Sequence, residues 1–411
     1  MTDRRTFLKG VTALPATALM ASQPGCTPEA QPPDNPQGEG REWFEELGVR
    51  PFVNAAAAYS ALGGRNMWPA VVEAMEYARN QNVIMEELQE AVGKRLAELI
   101  GCEAAMVTGG ATSSMTLGTA ACITGTDVEL IRRVPDITGL KNEVIVKRSH
   151  RSGYDHGVRN AGVRFIEVDT ADEVERSITD KTVMMFFVSI YEMRGEPVGV
   201  GLEEFAALGR KHGIPTMIDG SNTVPPLGRL SEYLESGFDL ACFSGGKGLR
   251  GPYSAGMLLG REDSIAAALL NATPNADTVG RGMKVSKEEL LGMLAAVEFS
   301  QQYDYSVENV RETALVDLIA EKLSVFTGIT TRVSFPTTEG GRPHLQIFWD
   351  QSDIPVSIDE ARLALQEGEP SIRTPYLELA DGQLELGTAM LKDHEVDVVV
   401  RRIGEVLART A

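Results

Sequence analysis

The run Thr182–Ser189 reads Thr-Val-Met-Met-Phe-Phe-Val-Ser, with β-branched and aromatic residues and no charge. A strand of that kind is apolar on both faces, so both faces must be covered. It recurs in a chain where short apolar runs alternate with helical patterns. Glu103–Thr108, Glu143–Lys147, Val163–Val168, Pro215–Asp219, Asp239–Phe243 and Ala255–Leu259 read as strands. Pro69–Ile100, Thr112–Ile123 and Leu202–His212 read as helices. Alternation of this sort specifies an α/β fold, with a mostly parallel sheet forming a large domain. After the helical stretch Leu290–Gln302, the segments Arg332–Phe335 and His344–Trp349 read as antiparallel strands, and His394–Thr410 as a last helix. A smaller α+β C-terminal domain is therefore expected over 301–411, following a large domain over 41–300.

Residues 1–40 stand apart. Arg4-Arg5, then Thr-Phe-Leu-Lys, precede an apolar run from Val11 to Ala21. This is the pattern of a twin-arginine export signal, a route used by proteins that fold before crossing. The apolar run is too short to span a bilayer comfortably, so no transmembrane segment is expected in the mature protein. Thr27–Gly40 has linker composition. Cys26 stands where a lipid-anchor cysteine would, although Gln23 and Pro24 fit a lipobox poorly. A periplasmic protein is expected, with a lipid anchor at Cys26 as the variant form.

Charge and cysteine content exclude two classes. Lys and Arg number 39 and Asp and Glu 58, a formal charge of −19. That balance argues against a nucleic-acid partner held through phosphates. The four cysteines, Cys26, Cys102, Cys122 and Cys242, form no C-x-x-C pair, so no metal site is expected.

The chemistry concentrates in Ala241–Gly251, Ala-Cys-Phe-Ser-Gly-Gly-Lys-Gly-Leu-Arg-Gly. Lys247 is not a P-loop lysine, since Gly-x-x-x-x-Gly-Lys-Ser/Thr is absent. The other use of a lysine between glycines is as an amine nucleophile forming a Schiff base. Asp219 closes the strand before it, at the edge where open parallel sheets bind ligands. A carboxylate beside a pyridinium nitrogen, paired with a Schiff-base lysine, is the electronic device of pyridoxal 5′-phosphate enzymes. Thr108-Gly-Gly-Ala-Thr-Ser-Ser114 lies between a strand and a helix. Its Gly110, Ala111 and Thr112, with the hydroxyls of Thr112 and Ser113, form a candidate phosphate cup, and Ser244 adds a hydroxyl. His150 follows the strand 143–147 and is placed to stack on a pyridine ring. Each piece alone has an ordinary structural reading: a turn, a helix cap, a surface histidine. Their order and spacing together point to a cofactor site.

With these pieces in place, the sequence resembles the fold-type I pyridoxal-phosphate superfamily. More narrowly it resembles the branch of bacterial selenocysteine synthase and D-glucosaminate-6-phosphate ammonia-lyase-like proteins. The resemblance is carried by Val53–Gly64, Val107–Ala111, Asp219-Gly-Ser with Pro225-Pro226, Phe243-Ser-Gly-Gly-Lys247 with Arg250-Gly-Pro252, and Gly280–Glu288. It implies Lys247 as the cofactor lysine, Asp219 as the partner of the ring nitrogen and His150 as the stacking residue. It places Arg281 and Lys284 near the active site, and it implies a homodimer or larger homo-oligomer. Arg373 is a candidate clamp for a substrate carboxylate, because such enzymes commonly place an arginine from the C-terminal domain over the cofactor. Departures from the pattern include Asn222-Thr223 after Gly-Ser, Arg65 after Gly63-Gly64, and the export signal. The activity implied is a lyase releasing ammonia and a 2-oxo acid from a small amino-acid or amino-sugar-acid substrate. A transferase, transaminase or racemase, and a non-catalytic binding protein on the same fold, are the alternatives.

Overall fold

The computed structural model describes residues 42–195, 199–335, 341–375 and 383–408. The export signal, linker and Cys26 lie outside the described residues. Contacts group the chain into two units, Met1–Pro51 and Phe52–Ala411, and the candidate site lies wholly in the second.

The described strands are β1 (Phe52–Asn54), β2 (Ala104–Thr108), β3 (Glu143–Lys147), β4 (Arg164–Val168), β5 (Thr182–Val188) and β6 (Thr216–Asp219). They continue with β7 (Leu240–Ser244), β8 (Gly256–Gly260), β9 (Ile329–Ser334), β10 (His344–Trp349), β11 (Ser371–Arg373) and β12 (Leu384–Gly387). Seven strands form the large sheet in the order β2-β8-β7-β6-β5-β3-β4. The pairs β3–β4, β3–β5, β5–β6 and β6–β7 are parallel, and β8 runs antiparallel to both β7 and β2. The fold is α/β with a mostly parallel large sheet, as the sequence pattern predicts.

The sheet is buried because its strands alternate between two apolar layers. Ile145, Met185, Phe187, Ile218 and Phe243 face one cluster with Val92, Leu96 and Phe205 from the helices Met85–Ile100 and Leu202–His212. Val144, Val146, Met184, Phe186 and Met217 face the other, with Met115 and Leu117 of the helix Ala111–Thr124. All seven residues of β5 are buried, which is why its sequence carries no polar face. Helix Leu202–His212 also has charges that suit its dipole, Glu203 and Glu204 first and Arg210, Lys211 and His212 last, and it stops at Gly213 with φ 64°.

The stretch expected as one helix from Pro69 to Ile100 is two, Pro69–Arg79 and Met85–Ile100. Asn80 and Asn82 sit in the break and favour turns over helix continuation.

The C-terminal residues build their own core. β12, β10 and β9 form an antiparallel sheet. Its apolar face packs with Leu315, Val316 and Ile319 of the helix Ser306–Leu323 and with Val399 and Ile403 of the helix Val396–Leu407. β1, expected to belong with the large domain, pairs in parallel with β11 instead, and Val53 and Ala55 join this C-terminal core. From there the chain returns to the large sheet, where Arg65 N–H donates to Gly246 O at 2.9 Å. The N-terminal strand thus connects Arg373 to the turn that carries Lys247.

Candidate active site

Because β2, β3, β5, β6 and β7 all run the same way, their C-terminal ends share one edge of the sheet. Registers fix the order along it. Thr108 and Ser244 both pair with Gly256, Cys242 pairs with Asp219, and Asp219 pairs with Val188. The candidate residues Gly110–Thr112, His150 and Lys247 follow β2, β3 and β7 at this edge, and Asp219 and Ser244 end β6 and β7 there.

Asp219 ends β6 and is buried. Its Oδ1 accepts the Ser221 N–H at 2.8 Å, and its carbonyl accepts the Ser189 hydroxyl at 2.8 Å. The first bond holds the carboxylate, and the second holds the main chain at the strand end. Lys247 stands on the turn after β7, half-buried, with Nζ 3.4 Å from Ser221 Oγ. Burial pushes its ammonium below the usual lysine range, while the Asp219 carboxylate pulls the other way. The turn fits closely against the Asp219 loop. A Cβ at Gly248 would lie 1.8 Å from Val224 O, so only glycine allows that approach.

His150 is fully buried beside β5. Its Nδ1 accepts the Val188 N–H at 3.1 Å. That bond assigns the neutral tautomer with the proton on Nε2. Burial, helped by the nearby Lys147 cation, pushes its pKa down to about 3. The ring stands edge-on to Phe187 at 4.4 Å and stacks on Tyr191 at 5.4 Å. It is therefore a rigid plane held next to the Asp219 register.

The phosphate-cup candidates begin the helix Ala111–Thr124, with Gly110 as its N-cap at φ 88°. The first-turn N–H groups of Ala111, Thr112 and Ser113 have no intrahelical acceptor and point out of the helix start. Gly256 allows this helix to sit against the sheet, since a Cβ there would lie 2.8 Å from Ala111 N. The hydroxyls are distributed differently from expectation. Ser113 Oγ donates to Gly109 O at 2.7 Å, so its proton is committed to the loop itself. Ser114 joins Thr108 Oγ1 at 2.7 Å and donates to Met257 O at 3.1 Å. Thr112 stays exposed, and Ser244, half-buried, ends β7, one strand beyond β8.

The main chain of Met283 and Lys284 runs beside Gly109, while the Lys284 side chain is exposed. Arg281 is exposed too, and its Nη1 donates to Thr273 Oγ1 and Pro274 O at 3.3 Å. Arg373 ends β11 opposite Asn54. Its Nε is buried and has no hydrogen-bond acceptor among the described residues, and the guanidinium carbon lies 5.9 Å from the Phe52 ring centre. The residue as a whole is half-buried.

Sequence reasoning did not single out Ser221, although it lies in the quoted Asp219-Gly-Ser motif. Nor did it identify Glu308, which no motif marks.

The L-seryl-tRNA selenium transferase family model matches residues 66–334. The chain belongs to the L-seryl-tRNA selenium transferase family. A Streptomyces 5′-C-glycyluridine monooxygenase-decarboxylase is 31% identical over 376 residues, covering 89% of this chain and 92% of that relative. D-glucosaminate-6-phosphate ammonia lyase of Salmonella typhimurium is 24% identical over 379 residues, covering 90% and 98%. An L-seryl-tRNA(Sec) selenium transferase of Serratia proteamaculans is 28% identical, with 64% of this chain and 61% of the transferase matched. Among solved structures, D-glucosaminate-6-phosphate ammonia-lyase superposes with a TM-score of 0.77 at 24% identity, covering 90% and 99%. A cysteine desulfurase of Escherichia coli superposes at 0.53 and 17%, covering 87% and 95%. These likenesses confirm the fold-type I architecture, and family membership makes the protein a pyridoxal-phosphate-dependent enzyme.

Proposed function

We propose that the protein is a pyridoxal-phosphate-dependent lyase that releases ammonia and a 2-oxo acid from a small amino-acid or amino-sugar-acid substrate. The observation that carries this reading is the grouping of Lys247, Ser221 and Asp219 on one sheet edge, with Nζ 3.4 Å from Ser221 Oγ. The residues fit the cofactor. The amine is depressed by burial, the carboxylate is fixed, and the helix start at Ala111 offers N–H groups to a phosphate.

Bound here, pyridoxal phosphate supplies an electron sink for negative charge developing at the substrate Cα. Lys247 provides an amine that is neutral more readily than an ordinary lysine, the form that attacks a carbonyl and takes up a proton. Asp219 holds a proton on the ring nitrogen, because an ionised neighbour favours the protonated pyridine. Ala111, Thr112 and the Ser244 hydroxyl bind the phosphate. His150 offers a neutral, immobile plane against the ring. Arg373 holds the substrate carboxylate, which its unpaired buried Nε supports. A carboxylate kept in that fork is held in one orientation relative to the reacting carbon.

The Streptomyces relative, a monooxygenase-decarboxylase, supports a second reading, decarboxylation with oxygen uptake. One experiment separates the two. The purified enzyme is given D- and L-amino acids and amino sugar acids, and ammonia, 2-oxo acid, carbon dioxide and oxygen uptake are measured together. Ammonia and 2-oxo acid in equal amounts without oxygen uptake support the lyase. Carbon dioxide with oxygen uptake supports the second reading.

The charge of −19 and the export signal favour a small-molecule substrate over a tRNA. We further infer twin-arginine export to the periplasm and a homodimeric or larger assembly.

A further inference from the structure

Glu308 lies in the first turn of the helix Ser306–Leu323 and is buried. Its carboxylate gathers three guanidinium groups. Arg65 approaches at 3.1 and 3.4 Å, Arg250 at 3.1 Å and Arg342 at 2.7 Å. Burial alone would raise the Glu308 pKa, but Arg65 and Arg342 outweigh it and hold the carboxyl below its usual range. Glu312, the other acid in the cluster, bonds Arg342.

Two of the three arginines also bracket Lys247 through the main chain. Arg65 N–H donates to Gly246 O at 2.9 Å, and Arg250 N–H donates to Lys247 O at 3.0 Å. The carbonyls on either side of the Lys247 α-carbon are thus held by residues whose side chains converge on one carboxylate. Arg250 has φ 51°, a left-handed conformation that a non-glycine residue keeps only when its surroundings fix it. Those surroundings are present. Its Nε donates to Asn66 O at 2.9 Å, its guanidinium lies 3.5 Å from the Trp68 ring centre, and Trp68 N–H donates to its carbonyl at 3.1 Å. Tyr305, which immediately precedes the Glu308 helix, adds a hydroxyl to Gly248 O at 3.4 Å.

We propose that Glu308 is a positioning residue for Lys247: by gathering Arg65 and Arg250 it fixes the turn that aims the lysine at Asp219 and Ser221. The proposal rests on the reading of Lys247 as the cofactor lysine. It ties that lysine to a helix of the C-terminal core. Arg342 serves as an internal comparison, because it shares Glu308 but makes no main-chain bond to the Lys247 turn.

The test is hydrogen exchange of the cofactor-free protein, read by mass spectrometry on fragments carrying Arg65 and Arg250, together with titration by pyridoxal phosphate. In Glu308→Gln, exchange at these two amides rises about tenfold or more while β5 keeps wild-type protection, because local opening is freed without global unfolding. The dissociation constant for pyridoxal phosphate rises severalfold. In Arg342→Gln both quantities change less than in Glu308→Gln, since Arg342 touches the acids but not the Lys247 turn. Unchanged exchange in folded Glu308→Gln, or the same change in Arg342→Gln, overturns the proposal. If Glu308→Gln does not fold, Glu308→Asp replaces it, because its shorter side chain cannot reach all three guanidiniums, and the same two amides decide. The amide readout needs no cofactor. A reduced pyridoxyl group on another lysine would therefore defeat the reading of Lys247 alone, and unchanged amides beside a labelled Lys247 would defeat this proposal alone.

Discussion

Lys247 Nζ lies 3.4 Å from Ser221 Oγ. The same serine presents its main-chain N–H to Asp219 Oδ1 at 2.8 Å, so one residue meets both the amine and the carboxylate. Ser221 lies two residues past the end of a strand whose partner leads into the Lys247 turn, and the parallel register Asp219–Cys242 makes the meeting a consequence of sheet topology.

On the proposed reading, Asp219→Asn removes the charge that would hold the ring-nitrogen proton and leaves an amide that still accepts the Ser221 N–H. Turnover should fall about a hundredfold or more, roughly 2.7 kcal/mol of barrier, with circular dichroism unchanged. Activity within a few fold of wild type would assign Asp219 to loop structure only.

His150 titrates at about 3 in the folded protein against an ordinary value of 6.5. The unfolded chain therefore binds more protons between those values, and stability falls as pH drops from 6.5 toward 3. At pH 5 the loss from this group is about 2 kcal/mol. His150→Asn removes the titration, so its urea midpoint should fall less between pH 7 and pH 5 than that of wild type. Equal slopes would contradict a buried neutral imidazole.

Arg373→Lys keeps the charge and loses the two-pronged fork. The Michaelis constant should rise severalfold or more, while the absorption spectrum of the cofactor-loaded enzyme stays the same. An unaltered kinetic profile would remove Arg373 from the substrate site.

Much of this was legible in the sequence. β3, β10 and the helix Leu202–His212 begin and end where their apolar periods do. The Lys247 turn and Asp219 were readable because glycines and a strand-terminal acid mark them. Other parts were hidden for identifiable reasons. Helix Ser306–Leu323 buries Glu308 and Glu312 as well as Leu315, Val316, Ile319 and Leu323, so acids occupy core positions and break the apolar stripe. β1 and β11 have three residues each, too few to show an alternation. The commitment of the Ser113 proton to Gly109 O depends on backbone geometry that no spacing reveals.

Arg4→Lys with Arg5→Lys tests the export reading. Folded, cofactor-loaded protein should accumulate in the cytoplasm, measured by cell fractionation. Unchanged periplasmic delivery would contradict twin-arginine export.

The most direct test of the account is chemical. Protein loaded with pyridoxal phosphate is reduced with borohydride, digested and mapped by mass spectrometry. The account predicts a yellow protein that bleaches on reduction and carries one pyridoxyl group, on Lys247. A pyridoxyl group on a different lysine, or no cofactor uptake after reconstitution, would contradict it.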